Sequence, residues 1–90
     1  MSQHLMNNYG RLPVTFTKGQ GVWLWDDEGN QYLDALSGIA VTGLGHSHSE
    51  FVKAICAQAS KLIHVSNVYQ IAEQAQLADK IAAISGMDKV

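Results

Sequence analysis

Gly19-Gln20-Gly21-Val22-Trp23-Leu24-Trp25-Asp26-Asp27-Glu28-Gly29-Asn30-Gln31-Tyr32-Leu33-Asp34 decides how the N-terminal part of this chain folds. Val22-Trp23-Leu24-Trp25 carries the aromatic and β-branched side chains that suit a pleated strand. Successive strand side chains point to opposite faces, so Trp23 and Trp25 share one face and Val22 and Leu24 the other. Asp26-Asp27-Glu28-Gly29-Asn30 reads as a turn, with Gly29 free to take positive φ and the acidic side chains in solvent. Gln31-Tyr32-Leu33-Asp34 returns as the next strand. On the other side, Val14-Thr15-Phe16-Thr17 has strand composition, and Lys18-Gly19-Gln20-Gly21 reads as the turn that joins it to Val22. Pro13, just before that strand, fits an edge position. Leu12 to Leu36 is therefore expected to form a small antiparallel meander.

Beyond the meander, Ala35 to His48 carries Gly38, Gly43 and Gly45 among Ile39, Val41 and Leu44. The glycines argue against regular structure, and the apolar residues argue against a solvated loop. The segment is expected to pack against its own core, a second chain or a ligand. From Ser49 onward the pattern is helical. Phe51, Val52, Ile55, Cys56, Ala59, Leu62 and Ile63 share a face, with Glu50 in the first turn and Lys61 near the end. A break at Val65–Tyr69 precedes a second helix from about Gln70 to Ile84, whose apolar face is Ile71, Ala75, Ala78, Ile81 and Ala82. Gly86 is its expected C-cap. The fold class expected is α+β: an antiparallel meander, a glycine-rich loop and two helices.

Size sets a limit on this. A globule of 90 residues would gain about 135 kcal/mol from apolar burial and lose about as much in conformational entropy. Cys56 is the sole cysteine, so no disulfide helps, and an unpaired thiol suits a reducing compartment. Net charge is −2 with scattered Lys and Arg, which argues against nucleic-acid and anionic-membrane partners. No stretch approaches a membrane span of roughly 20 apolar residues. Met1 to Asn8 lacks the basic and apolar regions of a signal peptide, so a soluble cytoplasmic protein is expected.

Residue patterns alone reveal no catalytic centre. His46 and His48 form an H-x-H pair, but a metal site needs three or four ligands, and His4 and His64 lack ligand-pair spacing. The simpler reading has one of the pair capping the helix that starts near Ser49. Asp26-Asp27-Glu28 has no acid–base partner in sight. Gly43-Leu44-Gly45 lacks the further glycine of a dinucleotide fingerprint, and Ser37-Gly38 lacks the G-x-S-x-G frame. Cys56 is read as a core residue. Trp23 and Trp25 either stack on a ligand or cover one face of the sheet.

The same residues, taken as strings, resemble the class III aminotransferases that use pyridoxal 5'-phosphate (PLP). The resemblance lies in Asn8–Val14, Gly19–Asp26, Gly29–Asp34, Leu36–Val41, Leu44–His48 and His64–Tyr69, in that order over nearly all of the chain. Ser37-Gly38-Ile39-Ala40-Val41 and Ser66-Asn67-Val68-Tyr69 are most similar to the acetylornithine and succinylornithine branch, since ornithine aminotransferases tend to carry an aromatic residue where Ile39 stands. Ser47-His48-Ser49 stands where the family often has Cys-His-Pro, which removes a favoured first-turn proline but no chemistry.

The resemblance implies that residues 1–90 are an N-terminal, small-domain segment of a fold type I PLP enzyme, without the large PLP-binding domain. It implies amino transfer between N-acetylornithine and 2-oxoglutarate in arginine biosynthesis for the intact parent, and an inactive segment. None of Lys18, Lys53, Lys61, Lys80 or Lys89 matches the family's Schiff-base lysine, so no catalytic residue is expected here and no metal ligand. Tyr9, Ser37, Gly38 and Ile39 would line the substrate side. Asn67 and Tyr69 would lie at a homodimer interface near the partner's PLP. The expected partners are the rest of the aminotransferase chain, a second subunit and an amino-acid substrate. Two other readings stand beside it: a non-catalytic interaction module or short partner of a longer chain, and a segment of an ornithine or 4-aminobutyrate aminotransferase.

Overall fold

The computed structural model describes residues 2–90. Its elements are β1 (Phe16–Gln20), β2 (Trp23–Asp26), β3 (Gln31–Leu33), α1 (Ser37–Ala40), α2 (Ser49–Ala59) and α3 (Ala72–Ser85). The chain divides into two units, one ending at Lys53 and one running from Ala54 to Val90.

The meander forms as an antiparallel sheet in the order β1-β2-β3. Its first turn lies later than the composition suggested. Lys18, Gly19 and Gln20 belong to β1, and Gln20 pairs with Trp23, which leaves Gly21-Val22 as a two-residue connection. Gly21 takes φ 58° and Val22 does not take positive φ, as a tight hairpin with glycine at its first central position requires. The register shifts between Phe16 and Lys18, a bulge that kinks β1. Lys18 and Trp25 are cross-strand partners, and the Lys18 ammonium lies 4.6 Å from the centre of the Trp25 ring. Leu24 pairs with Tyr32, and Tyr32 meets Phe16 edge to face at 5.4 Å.

The β2–β3 turn corrects a second expectation. Asp26 is not solvated: it is 7% exposed, the one buried polar residue among those described. Its Oδ1 accepts the backbone N–H of Glu28 (3.0 Å) and of Asn30 (2.8 Å). Its Oδ2 accepts the Asn30 side-chain amide (2.9 Å) and the Tyr32 hydroxyl (3.0 Å). Gly29, at φ 87°, donates its N–H to the Asp26 carbonyl. The hydrogen bonds, led by that from the Asn30 side chain, hold the Asp26 carboxyl below its ordinary value despite desolvation, and the Asp26 carboxylate in turn pushes the Tyr32 hydroxyl up. Asp27 and Glu28 remain exposed.

After β3 the loop returns to the sheet at one bridge. Gly21 N–H donates to the His46 carbonyl (2.9 Å) and His46 N–H to the Gly21 carbonyl (2.8 Å). Then α2 begins at Ser49, with His48 as its cap: His48 Nδ1 accepts the Phe51 N–H at 3.3 Å. That realises the capping role read for one His of the pair. The helix stops at Ala59, short of the Ile63 expected, so Lys61 lies outside it. Ser60 Oγ donates to the Ala57 carbonyl (2.9 Å), and the Gln58 carbonyl accepts the N–H of both Lys61 (3.0 Å) and Leu62 (3.0 Å), so the ladder tightens as the helix ends. In the second unit α3 starts two residues later than expected. Of its predicted face Ala78, Ile81 and Ala82 are half-buried, Ala75 is exposed and Ile71 lies just before the helix. Gly86 caps it at φ 72° with its N–H on the Ala82 carbonyl (2.9 Å).

No hydrophobic side chain among the described residues is buried. Cys56, read as a core residue, is exposed, because the α2 face that carries it with Phe51, Val52 and Ile55 is itself bare.

Two outcomes follow. The folded-state pKa of Asp26 is lowered, so its contribution to stability is complete above the ordinary value of 3.8 and is lost as pH falls through the lowered one. Asp26→Ala is expected to speed amide exchange at Glu28 and Asn30 and to abolish the acid dependence of that exchange, measured by NMR after correction for intrinsic rates. Gly45 sits at φ 85°, and a Cβ there would lie 3.1 Å from Gly21 Cα and O. Gly45→Ala should cost about 1–2 kcal/mol for the left-handed backbone alone and weaken the Gly21–His46 bridge. Gly10→Ala, where nothing lies within 4 Å, should leave that bridge's amide protection unchanged.

Candidate functional site

The glycine-rich segment is organised by the residue that ends the meander. Asp34 N–H donates to the Val22 carbonyl at 2.8 Å, which holds its backbone against the sheet. Its carboxylate then faces two ways. Oδ1 accepts the N–H of Leu36 (3.0 Å) and of Ser37 (2.8 Å), and Oδ2 lies 2.6 Å from His46 Nε2. The Asp34 side chain is 9% exposed and that of His46 21%. The bond to His46, seconded by the Ser37 N–H, holds the Asp34 carboxyl below its ordinary range. His46 is fixed in its turn by the backbone bridge to Gly21, and Ser47 Oγ donates to the Gly19 carbonyl at 2.7 Å. Gly19 is bare for a reason: a Cβ there would meet His46 Cβ and Cγ at 2.7 Å.

Between Asp34 and His46 the chain makes one turn that the glycine content did not foretell. Ser37, Gly38, Ile39 and Ala40 have φ of 54°, 61°, 61° and 62°, four consecutive residues in the left-handed region. Three of them carry a Cβ, at a cost of about 1–2 kcal/mol each. Such backbone persists only where its surroundings over-determine it. Here the Asp34 carboxylate binds the entry, and the Ser37 carbonyl accepts the N–H of Val41 (2.8 Å) and of Thr42 (3.0 Å) at the exit.

The result is a concave, mostly apolar surface. A cleft of about 600 Å³ is lined by Phe16, Leu24, Leu36 and Gly38, with Tyr32, Asp34 and His46 as its ionisable members. A second recess of about 470 Å³ lies between Ala40–Gly45 and Phe51. Apolar walls with few placed polar groups are the usual make-up of a small-molecule site.

Of the residues expected to bind substrate, Ser37, Gly38 and Ile39 form the left-handed turn. Gly38 lines the cleft, and Ile39 projects with 81% of its surface exposed. Tyr9 is exposed, with the Arg11 guanidinium 5.3 Å from its ring centre, and is not among the residues lining the cleft. Asn67 and Tyr69 lie in the second unit, in a turn closed by the Tyr69 N–H on the Ser66 carbonyl (3.0 Å), with both side chains exposed. The two histidines of the H-x-H pair serve separate partners, Asp34 and the α2 N-terminus. Among the described residues no group of three or more His, Cys, Asp or Glu is placed to hold a metal.

Sequence reading weighed His46 only as a metal ligand or helix cap and missed its pairing with Asp34. Asp34-Ala35-Leu36-Ser37 has an Asx residue just ahead of a turn, which is a capping signal. Nothing in the spacing pointed to His46, twelve residues on.

Comparison with known proteins assigns the chain to a family. Residues 5–90 match the family Aminotransferase class-III. The acetylornithine aminotransferase of Nitrosomonas europaea is 65% identical over 86 residues, which are 96% of this chain and 22% of that protein. A crystal structure of acetylornithine aminotransferase from Elizabethkingia anophelis superposes with a TM-score of 0.90 at 40% identity, over 96% of this chain and 22% of that one. An ornithine aminotransferase from Toxoplasma gondii, described with partial occupancy of PLP at its active site, gives 0.90 at 31% identity, over 97% of this chain and 20% of that one. The chain thus spans about a fifth of the length of these relatives. With the family matching from Leu5 to Val90, this chain belongs to the class III aminotransferases.

Proposed function

We propose that residues 1–90 are the N-terminal, small-domain segment of a soluble, cytoplasmic, homodimeric acetylornithine aminotransferase, which moves an amino group between N-acetylornithine and 2-oxoglutarate in arginine biosynthesis. The observation that carries this reading is the 65% identity to the Nitrosomonas europaea acetylornithine aminotransferase over 86 residues. The lower identity to ornithine aminotransferases makes ornithine the second choice of donor. No described helix is long and apolar enough to cross a membrane.

PLP would supply the chemistry by stabilising the carbanion formed at the substrate carbon. The residues here fit the margin of such a site rather than its centre. Lys18 is committed to the face of Trp25. Asn67 and Tyr69 present exposed polar groups from a closed turn, which suits contact with PLP held by a second subunit. Ser37, Gly38 and Ile39, with Tyr9, would line the substrate side. The left-handed turn supports that role by turning Ile39 outward and leaving the Gly38 backbone open to close approach. The bare apolar faces around Leu36, Val41 and Phe51 suit burial against the rest of the enzyme.

The test is a chimera in which residues 5–90 replace the matching segment of the Nitrosomonas europaea enzyme. It should transaminate N-acetylornithine with 2-oxoglutarate within about threefold of the parent kcat/KM and prefer that donor to ornithine and 4-aminobutyrate. A folded, PLP-loaded chimera that favours another donor would sink the substrate assignment. The 90-residue chain alone, mixed with PLP and N-acetylornithine, should give no turnover. Turnover there would contradict the segment reading.

A further inference from the structure

We propose that Asp34 and His46 are positioning residues for the amino donor: together they hold the left-handed turn Ser37–Ala40 against the cleft. The proposal rests on the functional reading above and adds to it two residues that act through the turn they hold.

The geometry carries it in three steps. First, one carboxylate joins two structures. Asp34 Oδ1 fixes the backbone entry to the turn through Leu36 and Ser37, while Oδ2 holds His46, so neither can shift without disturbing the other. Second, His46 is anchored independently of Asp34. Its backbone is paired to Gly21, and its ring rests where Gly19 leaves room for it. It is therefore a fixed post for the carboxylate rather than a passenger. Third, Asp34, Gly38 and His46 all line the same cleft, so the clamp and the turn it holds face one ligand space. A turn of four left-handed residues, three with a Cβ, relaxes when its restraint is removed, because ordinary backbone is lower in energy. Relaxation moves Gly38 and Ile39, which on the functional reading above line the donor side. Loss of the clamp thus weakens donor binding more than turnover of bound donor.

The experiment uses the chimeric enzyme with His46→Ala and His46→Gln. The glutamine side chain keeps an N–H donor for Asp34. The expected result is a KM for N-acetylornithine raised about tenfold in His46→Ala with kcat within threefold, and recovery to within about threefold of the unsubstituted KM in His46→Gln. A merely structural role would lower the concentration of active enzyme, and so kcat, with KM unchanged; that result overturns the proposal. So does a glutamine variant no better than alanine. Hydrogen exchange by mass spectrometry gives a readout independent of activity. The peptide covering Asp34–Val41 should exchange about tenfold faster in His46→Ala, while the β2–β3 peptide is unchanged. Unchanged exchange across Asp34–Val41 overturns the clamp. If the unsubstituted chimera has no aminotransferase activity, the functional reading fails, and the exchange experiment still decides whether His46 and Asp34 hold the turn.

Discussion

The Asp26 carboxylate accepts four hydrogen bonds at the end of β2, and the register of the sheet depends on it. In a protein with a packed core, apolar burial specifies which strand residues face inward, and a slip of one residue is penalised across the whole face. Here no described hydrophobic side chain is buried, so that penalty is small. Local polar closure takes its place. By binding the backbone of Glu28 and Asn30 and the side chains of Asn30 and Tyr32, Asp26 fixes the loop length, and with it the pairing of Trp25 with Gln31 and Leu24 with Tyr32. That places Tyr32 against Phe16 and builds one wall of the cleft.

Asp34 repeats the device one strand later with a different result. Asp26 bonds back into its own turn, whereas Asp34 bonds forward, to Leu36, Ser37 and His46. The first arrangement closes a hairpin in ordinary turn geometry. The second holds four residues in a backbone region that three of them would not choose. Hydrogen bonds to a charged carboxylate are stronger than those between neutral groups, and they offset part of the left-handed backbone cost. Both carboxyls have lowered pKa values for the same reason: their donors prefer the ionised form. The glycines complete the arrangement by omission. Gly19 makes room for the His46 ring, and Gly45 lets the loop backbone pass close to Gly21.

How much of this was legible depended on range. The three strands, the helix that starts at Ser49, the cap at His48 and the Gly86 stop all rest on neighbours within a few positions, and pattern found them. The first turn was misplaced because two glycines, Gly19 and Gly21, compete for it locally. The contact that decides between them, His46 against Gly19, lies 27 residues away along the chain. The acidic turn was misread because composition says Asp26-Asp27-Glu28 should be wet. It cannot say that one of three adjacent carboxylates turns inward to four donors. The left-handed turn was hidden for a further reason. Serine, isoleucine and alanine carry no preference for positive φ, so the conformation is imposed by Asp34 and His46 rather than expressed by the residues that adopt it.

That distinction bears on function. Residues whose conformation is intrinsic survive wherever the chain is placed. Residues held by imposed strain need their restraints intact, and such strain clusters where a protein must present particular atoms to a ligand. The candidate site has both kinds of surface next to each other. Its floor is a short sheet whose β2–β3 turn closes on its own bonds, and its rim is a strained loop tied down at two points. The large exposed side chains on that rim, Leu36, Ile39, Val41 and Leu44, are the ones a solitary chain would be least expected to leave in water. The relatives compared above are more than four times as long, and on the functional reading proposed above these side chains meet protein or ligand in the longer chain. On that view the polar clamps at Asp26 and Asp34 hold the local backbone while the apolar side chains beside them stay free for those contacts.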